Sequence, residues 1–189
     1  MARVLVTGSD DRVSAVAGLL RDEGHEVVTA GRAEDLPGGN APFDHYLQLP
    51  VAVRPTGDHV VGRVRSFLTG GLLARFALVE HVLDRLADGA TVVLVSGNTP
   101  EGAALPDDEQ SRLALLHVLA HATRAELAAR GVGVTVASGG CTDAELVRYA
   151  LQGGEDPRAR LVTEPPEPLS EVRYEDWRTE VMGLVQYHG

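Results

Sequence analysis

The chain has 189 residues, 44% of them hydrophobic, a mean hydropathy of −0.03 and a net charge of −10. That composition reads as one soluble globular domain over residues 1–189, long enough to bury a single core. The acidic balance excludes nonspecific nucleic-acid binding, which needs a basic footprint, and no apolar run approaches the ~20 residues that span a bilayer.

The predicted elements alternate strand and helix. Residues 3–6 form a short β-branched run that ends in Thr7-Gly8, followed by a polar turn, Ser9-Asp10-Asp11-Arg12. Val13, Val16, Ala17, Leu19 and Leu20 have helical spacing, and Gly24 stops that helix because glycine tolerates the left-handed conformation of helix ends. Residues 25–30 read as the next strand, 33–42 as a loop rich in Pro, Gly and Asn, and 45–51 as a strand. A helix is predicted over residues 60–87, with a weak point at Gly70-Gly71. Residues 91–95 and 132–137 are continuous apolar strands, the pattern of a parallel sheet covered on both faces. Between them lies a long helix, 109–130, ended by Gly131. A short helix over 142–151, a Pro-rich loop over 164–168 and a last helix over 174–186 complete the chain. The order predicts an α/β fold with a doubly wound, mostly parallel sheet, whose ligands sit beyond the carboxyl ends of the strands.

The single cysteine, Cys141, leaves no internal disulfide, so a cytoplasmic address is expected. Residues 1–6 run directly into a strand, and no signal peptide is expected there. All 17 basic residues are arginines; the chain contains no lysine.

Several fragments, in order, resemble the short-chain dehydrogenase/reductase family. Val4-Leu5-Val6-Thr7-Gly8 is similar to its first strand and the opening of its glycine-rich loop. Gly24-His25-Glu26-Val27-Val28 resembles the start of its second strand. Ala90-Thr91-Val92-Val93-Leu94-Val95-Ser96 is similar to the strand that ends in the family's catalytic serine. Ala125-Glu126-Leu127-Ala128-Ala129-Arg130-Gly131-Val132-Gly133-Val134-Thr135-Val136-Ala137 resembles the end of its catalytic helix and the next strand. The resemblance covers most of residues 1–145 and implies a Rossmann-like fold, shortened between the second strand and the long central helix.

The departures from that family decide what chemistry is expected. Counting back from Glu126 puts Glu109 where the family has its Tyr, and Leu113 one helical turn later where it has its Lys. The family's helical Asn falls at about Phe67. Hydride transfer in the family uses a phenol held near neutral pKa by an adjacent ammonium, and Leu113 carries no charge. Ser96 survives. Glu109 donates a proton near neutral pH only if burial raises its pKa. Ser96, Glu109 and His117 are therefore the candidate catalytic groups, with Asn98 keeping the cleft polar.

The cofactor loop departs as well. Arg12 and Ser14 stand where the family has glycines that let the backbone approach a pyrophosphate. Asp10 and Asp11 lie where phosphates would, and a like charge at 4–5 Å costs on the order of 3 kcal/mol at intermediate dielectric. Against this, Gly8, Ser9 and Arg12 could still hold a nucleotide, and Arg32 is placed as in members that clamp the 2′-phosphate of NADP. The cheaper reading makes Asp10 and Asp11 helix caps and Arg32 a solvated charge.

Other residues need the same weighing. His117 and His121 sit four apart on one helix, a spacing that can hold a metal, but no third ligand is evident and no metal is expected. Cys141 follows a strand and reads more cheaply as a small buried residue than as a nucleophile. His45 and Tyr46 either point into the cleft or simply open a strand. Asp107, Asp108 and Glu109 after Pro106 also read as the acidic first turn of a helix.

The leading expectation is a cofactor-independent tailoring enzyme of cyclase, isomerase or lyase type acting on a small molecule. The alternatives are a divergent NADP(H)-dependent reductase and a non-catalytic ligand-sensing or assembly protein. The resemblance implies a homodimer or homotetramer through the helices about 66–87 and 109–130, with no nucleic-acid or membrane partner.

Overall fold

The structure is a computed structural model. It describes residues 1–8, 10–39, 41–51, 56–67, 69, 73–97 and 106–160; the side chains of 10, 11, 60, 63, 64, 67 and 106–112 lie outside that description. The elements are β1 (Arg3–Thr7), α1 (Asp10–Asp22), β2 (Glu26–Ala30), β3 (Phe43–Gln48), α2 (Val60–Phe67), α3 (Ala74–Leu83), β4 (Leu86–Val95), α4 (Pro106–Leu127), β5 (Gly133–Ala137) and α5 (Asp143–Gln152). The five strands form one sheet in the order β2-β1-β3-β4-β5, and every pairing is parallel.

Side-chain alternation along the strands splits the core into two layers. Leu5, Tyr46, Val92 and Leu94 face α3 and α4, where they meet Val79, Val82, Leu113 and Leu116. Val4, Val6, Leu47 and Val93 face α1 and α5, where they meet Val16, Leu20, Leu146 and Val147. Helices on both faces explain why β4 and β5 read as continuous apolar runs. The result is the doubly wound, Rossmann-like architecture expected from the sequence.

Boundaries differ from the expectation where local chemistry overrides the pattern. The third strand runs Phe43–Gln48 and stops short of Pro50, whose missing N–H cannot join a ladder. The helix expected over 60–87 is two helices, α2 and α3; Gly70 and Gly71 fall between them, outside the described residues. β4 starts at Leu86, earlier than expected, and α4 starts at Pro106, whose fixed φ suits the first helical turn. Gly24 ends α1 as predicted, with φ +85°, and His25 N–H closes back onto the Leu20 carbonyl at 3.1 Å. α5 has a reciprocal cap: Thr142 Oγ1 accepts from Glu145 N–H, and the Glu145 carboxylate accepts from Thr142 N–H at 2.8 Å. The helix expected over 174–186 lies outside the described residues. Among the described residues, no helix is long and apolar enough to cross a membrane.

Candidate functional site

Chain order reverses between β1 and β3: β2 extends the sheet to one side, and β4 and β5 extend it to the other. Ligands of open α/β sheets lie at such a switch point, beyond the carboxyl ends of the strands. Here those ends carry Thr7, Gln48, Val95 and Ser96.

On the α3/α4 face, a buried polar network spans three of these ends. Thr7 Oγ1 and the Tyr46 hydroxyl lie 3.1 Å apart. Gln48 donates from Nε2 to the Tyr46 hydroxyl and to the Arg75 carbonyl, both at 3.1 Å. Its Oε1 accepts from Arg75 Nε at 3.0 Å, and Arg75 Nη2 donates to the Val95 carbonyl at 2.7 Å. Tyr46 is fully buried, and burial pushes its phenol up to about 12. Burial also brings the Arg75 guanidinium down to about 10, which leaves it charged at neutral pH. Neither Arg75 nor Gln48 emerged from the sequence as a site residue. A signal existed: Arg75 shares a helical face with Leu78, Val79 and Val82, so a cation interrupts an otherwise apolar stripe.

Ser96, expected as a catalytic hydroxyl, is fully buried and accepts a hydrogen bond from Gly139 N–H at 2.9 Å. It thereby holds the loop that joins β5 to α5. A second clamp secures the same loop. Buried Asp156 accepts from Ser138 N–H at 2.7 Å, from the Cys141 thiol at 3.0 Å and from Arg158 Nε at 3.0 Å. Burial would raise the Asp156 pKa, but these bonds outweigh it and lower it. Cys141 is buried, and burial with the adjacent Asp156 pushes its thiol up to about 12. Its sequence reading as a small buried residue agrees with that environment.

Arg12 reaches the loop from α1. Its Nε donates to Asp143 Oδ1 at 2.9 Å, Nη1 donates to the Gly139 carbonyl at 3.0 Å, and Nη2 donates to the Cys141 carbonyl. All three guanidinium nitrogens are thus turned toward the start of α5. Gly8 has φ +142°, and a β-carbon there would lie 2.6 Å from Leu49 Cβ. The glycine is required by close packing of β1 against the end of β3. Ser9 lies outside the described residues. Arg32 is exposed just past β2 and lies 3.5 Å from Glu34.

The remaining candidates are dispersed. His117 sits on α4, where its Nε2 donates to the Ala159 carbonyl at 2.8 Å, and no described hydrogen bond joins it to Ser96. His121 is exposed. Glu109 falls in the first turn of α4, and its side chain lies outside the described residues, as do Asn98 and the Phe67 side chain. Leu113 is fully buried in the core. His45 lies near the amino end of β3, away from the crevice, with Nδ1 2.7 Å from Thr91 Oγ1. Thr91 spends its one hydroxyl proton on the Ala150 carbonyl, so His45 Nδ1 is the donor. A cavity of about 410 Å³ opens at that amino end, lined by His25, Asp44, His45 and Asp88 among others. Among the described residues, no group of three His, Cys, Asp or Glu side chains could hold a metal ion.

The fold is a Rossmann-like α/β domain of the kind seen in short-chain dehydrogenase/reductase structures. The chain superposes on the protein lin1944 from Listeria innocua with a TM-score of 0.60 and 17% identity, covering 82% of this chain and 98% of that one. A double mutant of a Serratia marcescens short-chain dehydrogenase/reductase is similar, with a TM-score of 0.59 and 15% identity, over 84% of this chain and 91% of that one. A third similar structure, a putative short-chain alcohol dehydrogenase from Burkholderia multivorans, gives a TM-score of 0.54 and 15% identity over 79% of this chain and 88% of that one. No family model matches the sequence, and no curated protein matches it. At these identities the likeness shows the fold.

Proposed function

We propose that this protein uses a reductase-type fold without a dinucleotide, as a tailoring enzyme that performs acid–base chemistry on a small molecule in the crevice at the β1/β3 switch point. The observation that carries the reading is the Arg12 clasp. A dinucleotide laid along the carboxyl edge of such a sheet places its pyrophosphate at the start of the first helix. Here the arginine nearest that position is turned away and committed to Asp143, Gly139 and Cys141. The absence of lysine removes the ammonium that hydride transfer needs. Glu109 is the proton carrier in this reading, since it stands where the resembling family has its phenol.

One observation favours a second, non-catalytic reading as a ligand sensor. Ser96 and His117 are both bonded to backbone groups, so two of the three expected catalytic side chains serve structure. Turnover of a bound small molecule, abolished by Glu109→Gln with binding retained, separates the enzyme from the sensor.

The test of cofactor independence is a calorimetric titration of the purified protein with NADPH and, separately, NADH. The expected result is no heat of binding at millimolar nucleotide. Micromolar binding of NADPH would overturn the reading, and Arg32 would then be the first residue to substitute.

A further inference from the structure

Arg75 is only 9% exposed and carries its charge at the carboxyl ends of the strands. Its described acceptors, the Gln48 amide and the Val95 carbonyl, are both neutral. The Tyr46 phenol beside it is held in the neutral form by burial, so it supplies no negative charge to Arg75. Among the described residues, Arg75 forms no ion pair with any carboxylate. A buried charge is costly unless an opposite charge meets it. The positioning of Arg75 is also elaborate: Thr7, Tyr46 and Gln48, from two adjacent strands, form the chain of bonds that orients it. These strands are β1 and β3, the pair that flanks the switch point.

We propose that Arg75 anchors a subsite for a small monocarboxylate over the carboxyl ends of β1, β3 and β4; this rests on the reading that the crevice takes a small molecule in place of a dinucleotide. A single guanidinium balances a single negative charge, and its planar fork matches a carboxylate. The net charge of −10 disfavours a dianion such as phosphate. The neutral donors and acceptors of Gln48, Tyr46 and Thr7 position the guanidinium without neutralising it.

The test compares benzoate, acetate, the neutral isostere benzamide and inorganic phosphate on the full chain, read by thermal shift and calorimetry. Wild type is expected to gain several degrees in Tm with benzoate or acetate and none with benzamide or phosphate. Arg75→Met keeps the stem and removes the charge; it is expected to weaken carboxylate binding about tenfold or more. Equal binding by Arg75→Met, stabilisation by benzamide as strong as by benzoate, or no effect of either carboxylate on folded wild type would overturn the proposal. Should Arg75→Met fail to fold, the arginine 15Nε signals of wild type give the answer, with Arg75→Lys assigning the resonance: a benzoate-dependent shift at Arg75 supports the subsite, and an unmoved signal overturns it. If NADPH also binds and benzoate still acts through Arg75, the cofactor-independent reading falls and the subsite stands. If neither binds, the subsite falls while the cofactor-independent reading survives.

Discussion

Arg12 Nε lies 2.9 Å from Asp143 Oδ1 and thereby ties the first turn of α1 to the first turn of α5. The two residues are 131 positions apart in sequence, yet both helices pack on the same face of the sheet. The ion pair is partly exposed, so its own coupling is modest, whereas the bonds from Arg12 to the Gly139 and Cys141 carbonyls are charge-assisted. Arg12→Ala is expected to cost about 2–3 kcal/mol in urea denaturation. Asp143→Ala should cost less, and the coupling between the two in a double-mutant cycle should stay below about 1 kcal/mol. A coupling equal to the whole cost of Arg12→Ala would contradict the role given to the two carbonyls.

Gly8→Ala should be poorly tolerated. The new β-carbon would meet Leu49 Cβ at 2.6 Å, and a φ of +142° is strained for any L side chain. A loss of about 2–4 kcal/mol is expected from the clash and the backbone together. Leu49→Ala in the same chain should recover none of it, because alanine keeps the β-carbon and the carbonyl that the new methyl meets, and the backbone strain persists. Thermal denaturation of the two variants checks this; a fully stable Gly8→Ala would show that the ends of β1 and β3 are loosely packed.

The Cys141 thiol should be almost inert. Burial and Asp156 raise its pKa to about 12, so the thiolate fraction at pH 8 falls far below that of a free cysteine. Alkylation of the native protein by iodoacetamide is expected to run on the order of a thousandfold slower than that of a free thiol, and to reach the free rate in denaturant. Rapid labelling of native protein would remove the clamp from the account.

His45 gives a pH dependence of definite sign. Burial lowers its pKa from 6.5, with Asp44 opposing and His25 adding to the effect. As pH falls through 6.5 the unfolded chain takes up this proton before the folded one does, so stability declines with falling pH in that window. The contribution is fully present above pH 6.5. Tm measured from pH 8 to pH 5 should fall more steeply for wild type than for His45→Gln; parallel curves would assign the slope to other groups.

Self-association through the helices is expected as well. Leu115 and Val118 stand exposed on α4, and Val118 is 62% accessible in the single chain. Val118→Glu should convert a dimer or tetramer, as measured by light scattering after gel filtration, into a monomer with unchanged Tm at low protein concentration. A wild-type chain that is monomeric at all concentrations would refute the interface.

Much of the fold was legible because it rests on periodicity. The apolar runs at residues 91–95 and 132–137 needed cover on both faces, and a parallel sheet wrapped by helices provides it. Gly24 and Gly131 marked helix ends through their left-handed backbone, with φ +85° and φ +66°. The strand over 43–48 was expected over 45–51, two residues late at its start and three at its end, because Leu49 and Val51 are apolar while Pro50 stops the ladder. Side-chain roles were less legible. Ser96 was marked by its place at the end of a strand, but its partner, the Gly139 amide, is 43 residues away.

The sequence alone determined that no lysine could activate a phenol, that one cysteine could form no internal disulfide, and that strands and helices would alternate. These follow from composition and local period. Only the tertiary structure decided that Arg12 turns to the β5–α5 loop, that Cys141 lies against Asp156, and that Arg75 joins Gln48 and Val95 over three strand ends. Each of these depends on bringing distant segments together, and hydrogen-bond geometry exists only after the sheet order has set which strand ends are neighbours.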